Sequence, residues 1–134
     1  MTRPFLLDTN IVSDLVRDPR GRVSRRIARA GEQNVCTSII VVAEMRYGIA
    51  KRGSRRLLAQ LERILQRLEI LPLESPTDIV YGGLRAQLER EGRLIGPNDL
   101  LIAAQCLAID RTLVTANERE FSRVPGLRIE NWLH

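Results

Sequence analysis

The residues of this chain that could do chemistry are carboxylates. The single histidine is the C-terminal residue, His134, which excludes histidine-based acid–base catalysis, Ser-His-Asp triads and most catalytic zinc sites. Carboxylates next to apolar runs are the candidates for a site: Asp8, Glu44 and Asp99, together with the acidic segment 115–120 that follows a further apolar run. Carboxylate and amide oxygens are the ligands of hard divalent cations, which can activate water for hydrolysis.

Three of these acids also have a purely structural interpretation. Asp8 could be a turn residue in Asp8-Thr9-Asn10, and Asp99 could be an acid that favours the first turn of a helix. Glu44 could be a buried partner of an arginine. Residue type alone leaves these alternatives open, because the role of each acid depends on the elements that position it.

Short apolar runs predict four β-strands, at residues 4–7, 35–37, 70–73 and 112–115, with an edge strand at 127–129. Helical spacing of apolar residues predicts helices at 10–17, 21–30 and 54–69. Ser38 is predicted to end the second strand and to cap a helix that reaches Gly53.

Two more helices are predicted in the second half of the chain. Ser75 to Asp78 combine capping-box spacing with a proline at the first helical position, which starts a helix to about Gly92 and gives Asp78 a structural role. Gly96-Pro97 opens a central buried helix with Asp99 in its first turn, and residues 117–121 form a helical turn.

This alternation predicts an α/β fold, a short parallel sheet with helices on both faces. Functional groups of such sheets gather at the carboxyl ends of the strands. Asp8 follows the first strand there, and residues 115–120 follow the fourth in the same way.

Composition limits the organisation and location of the chain. Its 134 residues, 44% hydrophobic and 28% charged, predict one domain over residues 1–134. Cys36 and Cys106 lack a partner spacing, which predicts buried free thiols and a cytoplasmic location. No signal peptide, membrane span, P-loop or dinucleotide motif is recognisable.

The net charge of +5 makes polyanions plausible partners. Lys51 is the only lysine among 21 basic residues, and arginine suits phosphate oxygens best, although biased codon usage would have the same effect. Two basic groups are candidates for binding the phosphates of a polyanion: Arg22, Arg25, Arg26 and Arg29, and Arg46, Lys51, Arg52, Arg55 and Arg56.

Four sequence blocks follow one another in a characteristic order. They are Asp8-Thr9-Asn10, residues 38–44, residues 96–104, and residues 113–117 with Phe121. In order and spacing these blocks resemble the PIN-domain family, closest to VapC-type toxins. The resemblance spans essentially the whole chain, and the four blocks together are far more specific than any one alone.

The resemblance implies a metal-dependent endoribonuclease, the toxin of a toxin-antitoxin pair. Asp8, Glu44 and Asp99 match the three near-invariant acids of the family. Many relatives have aspartate where this chain has Asn117, and Glu120 could compensate.

The expected roles follow from this match. Asp8 and Asp99 are the expected direct metal ligands, and Glu44 would bind the metal or orient the attacking water. Asn117 and Glu120 would complete the shell, while Thr9 and Asn10 would hold Asp8 in place.

Electrostatics independently favours a cation. Two carboxylates 4 Å apart repel by roughly 4 kcal/mol at an effective dielectric constant of 20. Oxygen-only ligands favour Mg²⁺ or Mn²⁺ over zinc or copper. Such an ion would lower the pKa of a bound water and orient it in line with a phosphodiester.

The expected substrate is RNA. We expect it to bind through its phosphates, because an aromatic content of 4% leaves few rings for base stacking. The resemblance further implies a homodimer and a cognate antitoxin whose C-terminal segment lies in a groove and blocks the pocket.

Two other functions stay open at this point. One is a non-catalytic RNA-binding or regulatory module in which Asn117 marks a degenerate site. The other is a phosphotransferase with Asp8 as nucleophile, although Asn10 stands where such an enzyme usually has a second aspartate.

Overall fold

The structure is a computed structural model that describes residues 4–134. Residues 1–3, which the predicted domain includes, lie outside the described range. The strands are β1 Phe5–Leu7, β2 Val35–Ser38, β3 Glu69–Leu71, β4 Thr112–Val114 and β5 Ile129–Glu130. The helices are α1 Thr9–Arg17, α2 Arg22–Ala30, α3 Ile39–Arg52, α4 Arg55–Leu65, α5 Thr77–Arg90, α6 Pro97–Ala108 and α7 Glu118–Phe121.

The five strands form one parallel sheet in the order β3-β2-β1-β4-β5, which confirms the predicted fold class. Right-handed crossovers put α1 to α4 on one face and α5 to α7 on the other, because the strand order reverses direction at β1. The crevice between β1 and β4 is therefore the switch point of the sheet, where ligands of open α/β folds bind.

The central strands are buried on both sides. Leu6 and Leu7 of β1 and Leu113 and Val114 of β4 are all 0% exposed. Consecutive apolar residues are typical of parallel strands covered by helices on both faces. Burial also explains why the short runs were recognisable in the sequence.

Ser38 divides its apolar segment as predicted. It is the last residue of β2 and the N-cap of α3, and its Oγ accepts a hydrogen bond from the N–H of Ile40 at 3.1 Å. The helix ends at Gly53, whose φ of 67° is left-handed and favours glycine.

Several predicted boundaries were wrong. Helix α4 ends at Leu65, four residues before the predicted end, and β3 covers Glu69–Leu71 instead of 70–73. Leu68 continues the helical spacing, but pairing of β3 with β2 takes precedence over that local pattern. Pro72 lacks an N–H and does not extend the strand. The edge strand β5 covers Ile129–Glu130 instead of 127–129.

The start of α5 also differs from the prediction. Pro76 is the N-cap and Thr77 the first helical residue, so the proline precedes the first turn. Ser75 does not cap the backbone; its hydroxyl donates to Asp78 Oδ1 at 2.9 Å. The role of Asp78 is thus structural, but through a side-chain contact.

Cys36 and Cys106 are both buried and free, which confirms the prediction for the thiols. No helix within residues 4–134 combines the length and the apolar character that crossing a membrane requires.

Candidate active site

Asp8 and Thr115 meet at the carboxyl edge of the sheet. Asp8 follows β1 and Thr115 follows β4, and the N–H of Asp8 donates to the carbonyl of Val114 at 2.9 Å. The Thr115 hydroxyl donates to Asp8 Oδ2 at 2.7 Å. Asp8 is only 3% exposed and Thr115 is 0% exposed, so this contact is shielded from water.

The other carboxylate oxygen of Asp8 has no such partner. Oδ1 is buried and accepts no hydrogen bond from residues 4–134. Burial raises the pKa of Asp8, while the Thr115 hydroxyl and the Thr9 backbone act in the opposite direction. An unsatisfied buried carboxylate oxygen is costly, so this atom is suited to bind a cation or an external donor.

Asp99 and Glu120 form a second, coupled pair. Burial and then its hydrogen bond to Glu120 raise the pKa of Asp99 to about 7. Burial alone would raise the pKa of Glu120, but the Gly96 N–H, the Asn117 amide and Asp99 together lower it. The Glu120 carboxylate accepts from Gly96 N at 2.8 Å and from Asn117 Nδ2 at 2.5 Å. These shifts favour the protonated form of Asp99 and the ionised form of Glu120.

Glu44 is held between two other elements. The Thr9 hydroxyl of α1 donates to Glu44 Oε1 at 2.5 Å, and Asn98 Nδ2 of α6 donates to Oε2 at 3.4 Å. Glu44 pairs with no arginine among the described residues, so the alternative of a buried arginine partner is wrong. Its two donors instead connect α1, α3 and α6.

The predicted anchors of Asp8 need correction. The Thr9 side chain binds Glu44, and Asn10 Oδ1 accepts from the N–H of Ala116 at 3.1 Å. The side chain that holds Asp8 is Thr115, because β1 and β4 are neighbours in the sheet. The signal for Thr115 was its position directly after an apolar strand, which matches the position of Asp8.

A single cleft brings most of the candidate residues together. It has a volume of about 440 Å³ and runs between α1 and α3. Four predicted site residues line it: Asp8, Glu44, Asp99 and Asn117. Glu120 does not line the cleft but contacts Asp99 and Asn117 from behind. Two arginines, Arg17 and Arg52, also line it.

The donor chemistry of this cleft fits a divalent cation. Asp8 supplies a buried oxygen without a partner, and the polar groups around it are oxygen donors of the kind that Mg²⁺ and Mn²⁺ prefer. Within residues 4–134, no three His, Cys, Asp or Glu side chains are grouped closely enough to hold an ion together. In this arrangement Asp99 is hydrogen-bonded to Glu120.

A parallel α/β sheet with acidic side chains at its switch point defines the class of protein. Residues 5–127 match the PIN domain, and the chain belongs to the PIN-domain family, in its VapC branch.

Known relatives match over nearly the whole chain. Ribonuclease VapC2 of Rickettsia felis is 39% identical over 130 residues, which cover 96% of this chain and 97% of that protein. The tRNA(fMet)-specific endonuclease VapC of Salmonella typhimurium is 36% identical over 129 residues, with the same coverage.

A solved structure has the same fold. The crystal structure of VapBC2 from Rickettsia felis bound to a promoter DNA fragment contains a chain that superimposes with a TM-score of 0.87 at 37% identity. The match covers 96% of this chain and 98% of that one.

Proposed function

We propose that this protein is a metal-dependent endoribonuclease that hydrolyses RNA phosphodiester bonds in the cleft between α1 and α3. We further propose that it works as one domain and as the toxin of a toxin-antitoxin pair. The observation that carries the proposal is the buried, unpartnered Asp8 Oδ1 in the same cleft as Glu44 and Asp99. Membership in the VapC branch supports it.

Asp8 and Asp99 are the proposed ligands of Mg²⁺ or Mn²⁺. When bound, the ion supplies a water of lowered pKa and neutralises charge on the reacting phosphate. Thr115 fixes the orientation of Asp8, and Glu120 fixes that of Asp99. Such supporting contacts set the geometry and the basicity of the ligands.

Glu44 is proposed to orient the attacking water. Thr9 and Asn98 hold its two carboxylate oxygens, which restricts the side chain without neutralising its charge. Asn117 lines the cleft and donates its amide to Glu120, so it links the acidic pair to the site. Asn117 and Glu120 thus complete the surroundings of the two ligands.

Ligand binding at Asp99 requires loss of its proton. Because burial and Glu120 raise the pKa of Asp99 to about 7, protons compete with the cation below that pH. We therefore expect metal affinity to rise with pH up to about neutrality.

The proposed partners are a cognate antitoxin and a second copy of the chain in a homodimer. An apolar groove of about 470 Å³ between α1, α2 and α4 is lined by Leu15, Ile27, Ile64 and Leu68, among others. It fits the apolar face of an antitoxin segment. The similar chain in the Rickettsia felis structure is part of a VapBC2 assembly, which supports this partner.

We propose the cytoplasm as the location, since two buried free thiols suit a reducing compartment. A transfer RNA is the first substrate to test, because a relative at 36% identity is named a tRNA(fMet)-specific endonuclease.

The test is cleavage of a total cellular RNA pool by purified protein with Mg²⁺, with Mn²⁺ or with EDTA. Asp8→Asn and Asp99→Asn should abolish cleavage while remaining folded. Asp78→Asn is the matched control, because it makes the same chemical change at an exposed acid outside the cleft. Fragments that require metal and Asp8, and that survive in the control, support the nuclease.

A different outcome would favour the regulatory module. Absence of cleavage with either metal, together with salt-sensitive RNA binding, would indicate a degenerate site. In that case Asn117→Asp should restore cleavage if the amide is the cause, because it supplies the carboxylate that many relatives have at this position.

A further inference from the structure

The cleft between α1 and α3 carries opposite charges at its two ends. Thr9 and Glu44 mark the acidic end, and Arg17 and Arg52 line the same cleft. Each arginine lies eight residues further along its helix and belongs to the last turn. Eight residues of an α-helix advance by about 12 Å. Because both helices start where parallel strands end, the two arginines lie at a similar distance from the acids.

The region between the two ends is apolar. Val16, Met45, Ile49 and Leu57 line it, and no carboxylate of the lining stands beside the arginines. Arg17 and Arg52 are exposed, and neither makes a side-chain hydrogen bond or ion pair within the part of the chain that the structure describes. Their charge is therefore available to an anion in the cleft.

Two arginines of the first basic group contact the C-terminal segment. On α2, Arg22 donates to the carbonyl of Leu133, and Arg26 pairs with Glu130 at 3.4 Å and lies 5.2 Å above the ring of Trp132. These contacts hold the C-terminal segment against α2, so this part of the basic group has a structural role.

The second basic group contributes one residue to the acidic cleft. Arg46 pairs with Glu62 at 2.5 Å, and of that group Arg52 alone belongs to the lining of the acidic cleft. Arg17 stood in neither basic group of the sequence. The cleft is thus lined by two arginines, one on α1 and one on α3.

We infer that Arg17 and Arg52 bind RNA backbone phosphates that flank the phosphate held at the acidic end. The inference rests on the proposed nuclease function and identifies the path of the RNA strand. The acids repel phosphates in the absence of metal, whereas the arginines attract them. These two side chains therefore supply RNA binding that needs no metal.

A purely structural role is the competing explanation. Arginine in the last turn of a helix interacts favourably with the C-terminal carbonyls. That role predicts a small loss of stability and no change in RNA binding. Arg90 is an exposed arginine in the last turn of α5, outside the cleft lining, and provides the matched control.

The first measurement is anisotropy of fluorescein-labelled oligouridine with Arg17→Gln, Arg52→Gln, the double variant and Arg90→Gln, in EDTA and over a range of salt. Glutamine keeps much of the side-chain stem and removes the charge. Each cleft substitution should raise Kd roughly five- to tenfold. Each should also reduce the log–log salt slope by about 0.7. Arg90→Gln should stay within about twofold of wild type.

The second measurement is cleavage kinetics with metal. Because the arginines contact phosphates before and during the reaction alike, the variants should raise KM and leave kcat nearly unchanged. Arg17→Lys should recover most of the salt slope, since it restores the charge. Thermal unfolding of each variant checks that the fold is intact.

The outcomes separate this inference from the proposed function. If wild type cleaves RNA but Arg17→Gln and Arg52→Gln bind oligouridine as Arg90→Gln does, the inference is overturned and the nuclease stands. A loss of binding in Arg25→Gln that exceeds the loss in both cleft variants would also overturn it. If wild type cleaves nothing while the cleft variants lose binding, the phosphate path stands and the nuclease fails.

Discussion

Removing the Thr115 hydroxyl is the sharpest test of how the acidic cleft is built. Thr115→Val keeps the branched shape but removes the donor to Asp8 Oδ2 at 2.7 Å and the acceptor of the Asn117 N–H at 3.0 Å. Since Asp8 Oδ1 already has no partner among residues 4–134, the carboxylate would lose its remaining side-chain donor.

The expected magnitude follows from burial. A hydrogen bond to a charged group contributes about 1.5–3 kcal/mol, and the Thr115 site is fully buried, so solvent does not replace the donor. We expect the free energy of unfolding to fall by about 2–3 kcal/mol. Because the Thr115 hydroxyl lowers the pKa of Asp8, its loss should raise that pKa further. Metal affinity and cleavage should then fall roughly 10- to 100-fold.

Urea unfolding in EDTA and metal titration measure the two effects, with Thr115→Ser as the control that retains the hydroxyl. A double-mutant cycle with Asp8→Ala, which removes the acceptor, isolates the pair. An interaction energy of about 1 kcal/mol or more is expected. Additive effects within about 0.5 kcal/mol, or a serine variant as defective as valine, would refute the assigned contact.

Three further predictions concern stability. Ser38→Ala should lower the free energy of unfolding by about 1 kcal/mol in urea titrations, because it removes the cap of α3, and an unchanged midpoint would contradict this role. Gly82→Ala should stabilise α5 by roughly 1 kcal/mol, whereas Gly53→Ala should destabilise the protein by about as much. An added Cβ meets open space at both positions, but only Gly53 has a positive φ. Changes in the free energy of unfolding that have the same sign in both variants would refute the reasoning. Because the pKa of Asp99 is raised from 3.8 to about 7, the folded protein binds more protons than the unfolded chain between these values, so metal-free stability should fall as pH rises through that window. Asp99→Asn should flatten this dependence in urea titrations, and an unaltered slope would show that Asp99 is not its source.

Much of the fold could be predicted from local patterns. Buried parallel strands require consecutive apolar residues, and each of β1, β2 and β4 is such a run between polar ends. The predicted end of α4 was wrong because Leu68 continues the apolar spacing of the helix although it lies between the two elements. The start of β3 at Glu69 is set by its pairing with β2, which is non-local.

The candidate site was partly predictable for a related reason. Asp8, Glu44 and Asp99 are acids beside apolar runs, so their positions stand out, and the structure brings them into one cleft. The hydrogen-bond partners of these acids were harder to predict from the sequence. Asn98 is a common surface residue without a signal of its own, and the position of Thr115 after an apolar strand does not identify Asp8 as its partner.

Residue type and order determined the class of this protein. Because the only histidine is the C-terminal residue, oxygen ligands must supply the chemistry of the site. The alternation of apolar runs and helices requires a parallel sheet. Tertiary structure alone decided which side chains meet. Thr115 reaches Asp8 across 107 residues because β4 lies beside β1, and Arg17 and Arg52 share a cleft because α1 packs against α3. Hydrogen bonds and charge interactions act over a few ångströms, so they depend on spatial neighbours that local sequence does not specify.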